Sequence, residues 1–394
     1  MKAYSSTNVY DAAFSRAVNM FKEGHRIVVA FSGGKDSTAV FELMYAAAVY
    51  VGILPLEVWM RDEEIMYPGT YEYAERIANR KGVKFHWLIA GEPEVNVFNR
   101  ENPYWWVFDD RLDPDQWMRK PPEFAKRTKE LSIYNVVNPT SFPPPPGKLL
   151  CVTMGVRASE SRKRNMMIHR SGGAVSGMTS SKAKTWEADG RNREKEIHFR
   201  PIYDWTTKDV WFAIKEKGWD YNKAYDAFTL YGVKREQQRI APVTMTPHGV
   251  PLLKVAYGAW PEWFQRLNVR LPGVILGAKY GKKAVMPIRR HYETWQECYQ
   301  RTCIDEAPAW IAERAEVYRE WMIKRHAAHS TDPIMDIAAC PTCAGGKASW
   351  KAMAENMYNG DPFMLQTDCT AFGYVEPEFF RKGMGVWGGK PTMG

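Results

Sequence analysis

Two serines, two glycines, a lysine and an aspartate stand together in Ser32-Gly33-Gly34-Lys35-Asp36-Ser37. Each of these types suits the handling of a phosphate. Adjacent glycines reach backbone angles that other residues avoid, so consecutive N–H groups can converge on one anion. Lys35 adds a full charge, and Ser32 and Ser37 add hydroxyls. The stretch also reads as a tight turn with Asp36 capping a helix, a role Asp fills well. It lacks the longer spacer of the Walker A pattern. Paired glycines and a lysine framed by serines exceed what a turn requires, so a phosphate site is expected here.

The flanking residues must position that site. Arg26-Ile-Val-Val-Ala-Phe31 reads as a buried strand and 37–50, rich in Ala, Leu and Met, as a helix. Such a helix directs the positive end of its dipole at the loop. Before them, Val9, Ala12, Phe14, Ala17, Val18 and Phe21 recur at helical spacing over 8–23, closed by Gly24. After them come a strand over 56–61, a helix over 71–81 ended by Gly82, and a strand over 83–89. This βαβαβ order predicts an α/β fold, a doubly wound parallel sheet with helices on both faces. Ligands of such sheets sit at the carboxyl ends of the strands.

Three further segments carry candidate chemistry. Leu56-Glu-Val-Trp-Met-Arg-Asp62 continues into Glu-Glu-Ile-Met-Tyr67-Pro68-Gly-Thr70. In Gly155-Val-Arg157-Ala-Ser-Glu160-Ser161-Arg162, residues Arg157, Glu160, Ser161 and Arg164 would share one face if helical. Arg157 and Arg162 then suit a phosphate or carboxylate, the alternative being an exposed basic helix start with an Arg–Glu pair. The third segment is Arg200-Pro201-Ile-Tyr-Asp-Trp205-Thr-Thr-Lys-Asp209-Val-Trp211. Thr206 to Asp209 looks like a capping-box variant that opens a helix over 207–217.

Together, in this order, these segments resemble the PP-loop and following motifs of the N-type ATP pyrophosphatases and of the 3′-phosphoadenylylsulfate (PAPS) reductase family. They span about half the chain. Asp220-Tyr221-Asn222-Lys-Ala-Tyr225-Asp226 extends the likeness toward a subgroup, the IbrA type, often found beside ParB-like partner proteins. The resemblance implies an adenine-nucleotide α-hydrolase-like (HUP, Rossmann-like) sheet. It implies phosphates on the PP-loop and adenosine beside residues 59–62. Nucleotide binding would then involve Ser32, Gly33, Gly34, Lys35, Asp36, Ser37, Asp62, Arg157 and Arg162, with Lys35, Asp36 and Arg157 catalytic.

Two departures bear on the reaction. PAPS reductases use a cysteine in a Glu-Cys-Gly-x-His-like tail, absent here, and Tyr231 to Arg239 carries none of the cysteines of cluster-bearing relatives. The expected activity is therefore cleavage of ATP between its α and β phosphates to adenylate an acceptor. Sulfur transfer or nucleic-acid modification is the setting, with a DNA or tRNA acceptor and a sulfur donor. Lys35, backbone amides and Mg²⁺ would stabilise the departing pyrophosphate. Asp36 or Asp62 is a candidate Mg²⁺ ligand, or equally a cap or loop anchor. The alternatives are a sulfonucleotide reductase acting on PAPS and a non-catalytic nucleotide-binding regulator working with a ParB-like protein.

The chain's 394 residues suit a nucleotide domain over 1–230 and a smaller, mostly helical accessory region over 231–394. Within the first, periodicity fails over 91–148, where Tyr104, Trp105, Trp106, Phe108 and Trp117 interleave with Arg111, Arg119 and Lys120. A proline-stiffened lid is expected there, a surface for bases and phosphates being the rival. A net charge of +9 favours a polyanionic partner. No apolar run approaches a membrane span and the N-terminus lacks a signal-peptide core, so a cytoplasmic protein is expected.

Six cysteines are too few for a disulfide scaffold. Cys340-Pro-Thr-Cys343-Ala-Gly-Gly has the spacing of a zinc knuckle, and Cys298 and Cys303 form a looser pair. These four make a candidate structural Zn²⁺ site, unligated thiols being the alternative. Cys151, in an apolar strand over 149–154, is a conceivable sulfur carrier, though a buried thiol there is inert. The glycine-rich tail 383–394 is expected to be flexible.

Overall fold

Alternate side chains of strand β1 (Arg26–Ala30) face opposite ways. Ile27 and Val29 enter one buried core and Val28 another, the pattern of a parallel strand covered on both sides. A computed structural model of the chain describes residues 6–91, 93–128, 137–170, 173–176, 196–240, 249–343, 348–362, 366–367, 369 and 371–372. The glycine-rich tail lies outside them. The chain divides into two compact units, Met1–Glu92 with Arg119–Ala241, and Pro93–Met118 with Pro242–Gly394.

In chain order the strands are β1, β2 (Leu56–Asp62), β3 (Val83–Ala90), β4 (Glu94–Val95), β5 (Tyr104–Trp105), β6 (Lys126–Thr128), β7 (Leu150–Thr153), β8 (Val175–Ser176) and β9 (Glu196–Phe199). The first unit holds a sheet in the order β6-β3-β2-β1-β7-β9-β8. Six of its strands run parallel, and β8 closes one edge antiparallel to β9. From β1 the chain winds outward through β2, β3 and β6, then returns to β7 on the other side of β1. The expected doubly wound α/β sheet is present and its direction reverses between β1 and β7. The expected helices on both faces are not matched at its centre, where α1, α2, α3 and α5 share one core and loop residues cover the other face. Crevices at such reversals are where this architecture binds ligands.

Helices α1 (Val9–Lys22), α2 (Lys35–Val51) and α3 (Thr70–Ala78) pack on one face with α5 (Thr207–Glu216), whose Val210, Ala213 and Ile214 join the same core. On the opposite face Val28, Leu150 and Val152 are covered by Phe142, with Trp59, Val137 and Met154 against them. Gly34 caps the start of α2 and Gly52 its end, where a left-handed φ of 79° returns the Gly52 N–H to the last turn. Asp36 thus lies inside the first turn and is not the cap. Helix α4 (Arg162–Arg170) does not extend back to Arg157. A short 3-10 turn covers Ala158–Glu160 and Ser161 is extended, so the expected single face over 157–164 is broken. Helix α6 (Ala224–Leu230) follows α5.

Among its described residues, the regular elements of the second unit are the β4–β5 pair and helices α7 (Val250–Ala259), α8 (Pro261–Arg270), α9 (Val274–Tyr280), α10 (Trp295–Tyr299), α11 (Ala309–Ala327) and α12 (Trp350–Met357), with short 3-10 and π turns between them. It begins later than residue 231 and takes in 93–118 from the expected lid. The cause is aromatic burial: Tyr104 and Trp106 form a cluster with Trp310 and Ile311 of α11. The rest of that segment, 119–128 and 137–148 among the described residues, stays with the sheet.

Candidate nucleotide site and a thiol–imidazole cluster

Between β1 and α2 the loop is knitted by its own serines. Ser32 Oγ and Ser37 Oγ lie 3.1 Å apart, and Ser37 Oγ donates to Gly34 O at 2.9 Å. Gly33 holds φ +70°, and a Cβ there would come within 2.7 Å of Thr70 Cγ2. Glycine is therefore required on two counts, backbone angle and space. The first N–H groups of α2 have no partner inside the helix. That of Lys35 donates to Tyr225 Oη at 2.9 Å.

Lys35 is 5% exposed. Its Nζ donates to Gln238 O at 3.2 Å and lies 3.4 Å from Asp36 Oδ2. Burial holds its pKa below the usual lysine value, and Arg157 and Arg239 push the same way against Asp36. The ammonium is thus short of counter-charge and well placed to gain from an arriving anion.

Arg157 reaches the loop from the end of β7. It is 2% exposed, and its Nε donates to Asp36 Oδ1 at 2.7 Å while Nη1 donates to Ser159 Oγ at 2.9 Å. Gly155 makes this approach possible, since a Cβ there would lie 2.8 Å from the Asp36 carbonyl carbon. Arg157 Nη2 is 3.8 Å from Glu160 Oε1, and Glu160 also pairs with Arg164. Burial lowers the pKa of Arg164, with Arg239 and Arg157 adding to it. Lys35 and Arg157 thus meet at Asp36 at the start of α2, with Arg164 and Arg239 near enough to act on this group electrostatically. Arg162, expected beside them, is an exposed residue at the start of α4.

Asp62 is fully buried at the end of β2. Its Oδ1 accepts from Arg119 Nη2 at 2.5 Å and from the Glu64 N–H at 2.9 Å, and its Oδ2 accepts from Trp87 Nε1 at 2.7 Å. Arg119 also stacks over Tyr71, 3.6 Å from the ring centroid. Asp62 is therefore placed as an anchor for the turn after β2, with both oxygens already engaged. For Mg²⁺ this leaves Asp36 as the nearer carboxylate, itself shared with Arg157 and Lys35.

Several partners of the loop escaped sequence reasoning. Asn222, fully buried, donates through Nδ2 to Gly33 O at 3.0 Å and to Thr70 Oγ1 at 2.7 Å. Tyr225, Gln238 and Arg239 come from the same downstream stretch. The Tyr-Asn-x-x-Tyr-Asp pattern marked the region, but nothing in its spacing said that it folds back onto the loop.

Among the cysteines, the structure corrects the expected grouping. His326, Cys340 and Cys343 place one donor atom each within 4.8 Å of one another, all three buried, and Cys298 and Cys303 do not join them. Cys303 Sγ instead contacts Ala354 O of α12 at 3.7 Å, and burial pushes its thiol up to about 12. Cys298 lies 4.0 Å from Arg301 Nη2. Both belong to helical turns, α10 and the π-helical Gln300–Asp305, and although Cys303 shares a core with Cys340 and Cys343, its sulfur does not join their group. Cys340, by contrast, is drawn down to about 7, chiefly by the Thr342 hydroxyl. Cys151 is buried in β7 with its thiol pushed up to about 12 by desolvation, which leaves little thiolate for carrying sulfur.

No family model matches the chain. The chain is 23% identical over 389 residues to the protein "Uncharacterized protein YbdN" of Escherichia coli (strain K12), covering 90% of this chain and 88% of that one. Among solved structures it is similar to Candida glabrata FMN adenylyltransferase in complex with FAD and inorganic pyrophosphate. There identity is 11%, the TM-score is 0.35, and the overlap covers 57% of this chain and 63% of the other. It is also similar to the U34-tRNA thiolase NcsA from Methanococcus maripaludis, determined with its 4Fe-4S cluster, at 12% identity and a TM-score of 0.31. That overlap covers 69% of this chain and 80% of the thiolase. No helix among the described residues is long and apolar enough to cross a membrane.

Proposed function

We propose that the first unit binds ATP, its phosphates on the Ser32–Ser37 loop, and cleaves it between the α and β phosphates to adenylate an acceptor. One observation carries this: Lys35 and Arg157, both buried, meet at Asp36 in the first turn of α2, beside the reversal of the sheet. A helix N-terminus flanked by a buried lysine and a buried arginine suits a polyphosphate better than any neutral ligand.

An acceptor oxygen would attack the α-phosphorus, the α–β bridging bond would break, and pyrophosphate would leave as the acceptor becomes an AMP ester. Lys35 and the amides of the loop face the charge that develops on the leaving group. Arg157, held by Asp36 and Ser159, orients the α-phosphate. Mg²⁺ entering with the nucleotide would neutralise further charge. A sulfur nucleophile could then displace AMP, so DNA or tRNA thiolation is the setting we favour.

Reduction of PAPS fits less well. It calls for a nucleophilic thiol at the nucleotide, and Cys151 is the one cysteine in this unit, buried within a strand. A regulator that binds ATP without turnover, acting with a ParB-like protein, is the remaining alternative. Incubating the protein with radiolabelled ATP, alone and with DNA or tRNA, separates the three. AMP with pyrophosphate supports adenylation. Sulfite released from PAPS in the presence of a thiol supports reduction, and tight ATP binding with no AMP supports regulation.

A further inference from the structure

The second unit contains a cluster that the nucleotide site does not use. His326 ends the buried face of α11, and its Nδ1 lies 2.9 Å from Cys343 Sγ. Its Nε2 lies 2.7 Å from Asp332 O. A backbone carbonyl can only accept, so Nε2 carries the proton and the lone pair of Nδ1 faces the thiols. A metal-ligating histidine is oriented in this way, its outer N–H held by an acceptor.

The Cys340 turn has matching geometry. The Thr342 hydroxyl lies 3.1 Å from Cys340 Sγ, and the Cys340 N–H donates to Ala348 O at 3.0 Å, which fixes the turn that carries both thiols. Cys340 and Cys343 are 5% and 7% exposed, inside the core formed with Tyr318 and Met322 of α11 and Met353 of α12. A cavity of about 460 Å³ lined by His326, His329, Asp332, Cys340 and Thr342 opens beside them.

We infer that His326 Nδ1, Cys340 Sγ and Cys343 Sγ hold a zinc ion whose fourth position faces this cavity. Two soft thiolates and a neutral imidazole are a donor set that selects zinc over hard cations. Ligand atoms of a tetrahedral zinc site lie ~3.8 Å apart, within the 4.8 Å spread of this group. The ion joins the last turn of α11 to the 340–343 turn, elements the chain separates by a loop with few buried apolar residues of its own. Its three protein bonds fasten the end of α11 to a small aromatic core, and the open fourth position leaves room for water or a further ligand from the cavity.

The rival for a Cys-x-x-Cys pair is a disulfide, and one set of measurements decides between them. Metal analysis of the purified full chain should find close to one zinc per chain. Cys340→Ser, Cys343→Ser and His326→Asn should each lose at least nine-tenths of it, while a Cys298→Ser/Cys303→Ser double variant keeps it. Should the ligand variants fail to fold, wild-type protein produced with cobalt in place of zinc gives an independent answer. Its spectrum should show thiolate-to-cobalt charge transfer and the intense visible bands of a tetrahedral ion. Metal-free protein, a mass two hydrogens lighter that reports a Cys340–Cys343 disulfide, a cobalt spectrum without thiolate bands, or zinc lost only from the Cys298/Cys303 variant would each overturn the assignment.

Discussion

Arg157 Nε lies 2.7 Å from Asp36 Oδ1, a bond that joins the loop after β7 to the first turn of α2. The two residues are 121 positions apart in sequence. They meet where the sheet reverses direction, so the contact ties together both halves of the winding. Arg157→Lys keeps the charge but loses the planar fork that also reaches Ser159. The KM for ATP should rise about tenfold, as the loss of a charged hydrogen bond implies. Steady-state kinetics of AMP formation measure it, and an unchanged KM would remove Arg157 from the site.

Lys35 is the group on which the proposed reaction leans most. Lys35→Ala should lower AMP formation by roughly 100-fold or more, the usual loss when one transition-state donor is removed. Because Lys35 is buried and paired with Asp36, urea unfolding of the variant is measured alongside, so that lost turnover in a folded protein is told apart from a folding defect. Turnover within about twofold of wild type would contradict the proposal directly.

Gly155 allows the two backbones to pass. A Cβ at this position would lie 2.8 to 3.0 Å from backbone atoms of Asp36 and Ser37, and backbone cannot swing aside as a flexible side chain can. Gly155→Ala should therefore cost about 1–3 kcal/mol in urea unfolding and weaken ATP binding with it. A substitution that leaves both intact would mean that the loops are not in contact.

Asp62 is predicted to act through structure. Asp62→Ala leaves Arg119 without its buried carboxylate and Trp87 Nε1 without an acceptor. Removing one partner of a buried pair costs about 3–5 kcal/mol. Chemical denaturation should register that loss. Near-normal stability combined with a weakened Mg²⁺ dependence would instead make Asp62 a metal ligand.

Burial raises the Glu63 carboxyl from its usual 4.5 to about 7. Between those two values the folded chain holds a proton that the unfolded chain has released. The sign follows from linkage: this contribution is complete below about 4.5 and is lost as pH rises through about 7. Its size is on the order of 3 kcal/mol. Unfolding curves collected across that window should show wild type losing stability relative to Glu63→Gln, and parallel curves would contradict the buried-acid assignment.

Much of this was legible in the chain itself. Hydrophobic periodicity and glycine chemistry are local properties, so strands β1 to β3, the loop at Ser32–Ser37 and the helix after it could be placed from short windows of sequence. Gly155 and Arg157 stood out as a motif, though the break at Ser161 did not, because an extended residue between two helical turns leaves no periodic mark. The seam at residue 93 was hidden for a different reason: Tyr104 and Trp106 are aromatic wherever they pack, and composition does not say that their partners are Trp310 and Ile311.

The metal ligands divide in the same way. Cys340 and Cys343 were identified by their spacing, which a single turn enforces. Their third partner was misassigned because Cys298 and Cys303 matched by element type, whereas His326 matches by position. It completes the face that buries Trp310, Ile311, Ala315, Tyr318 and Met322, and the packing of that face delivers its imidazole to the thiols. Residue types and local spacing determined which chemistry this chain carries. Helix packing and strand order alone decided which distant groups meet to perform it.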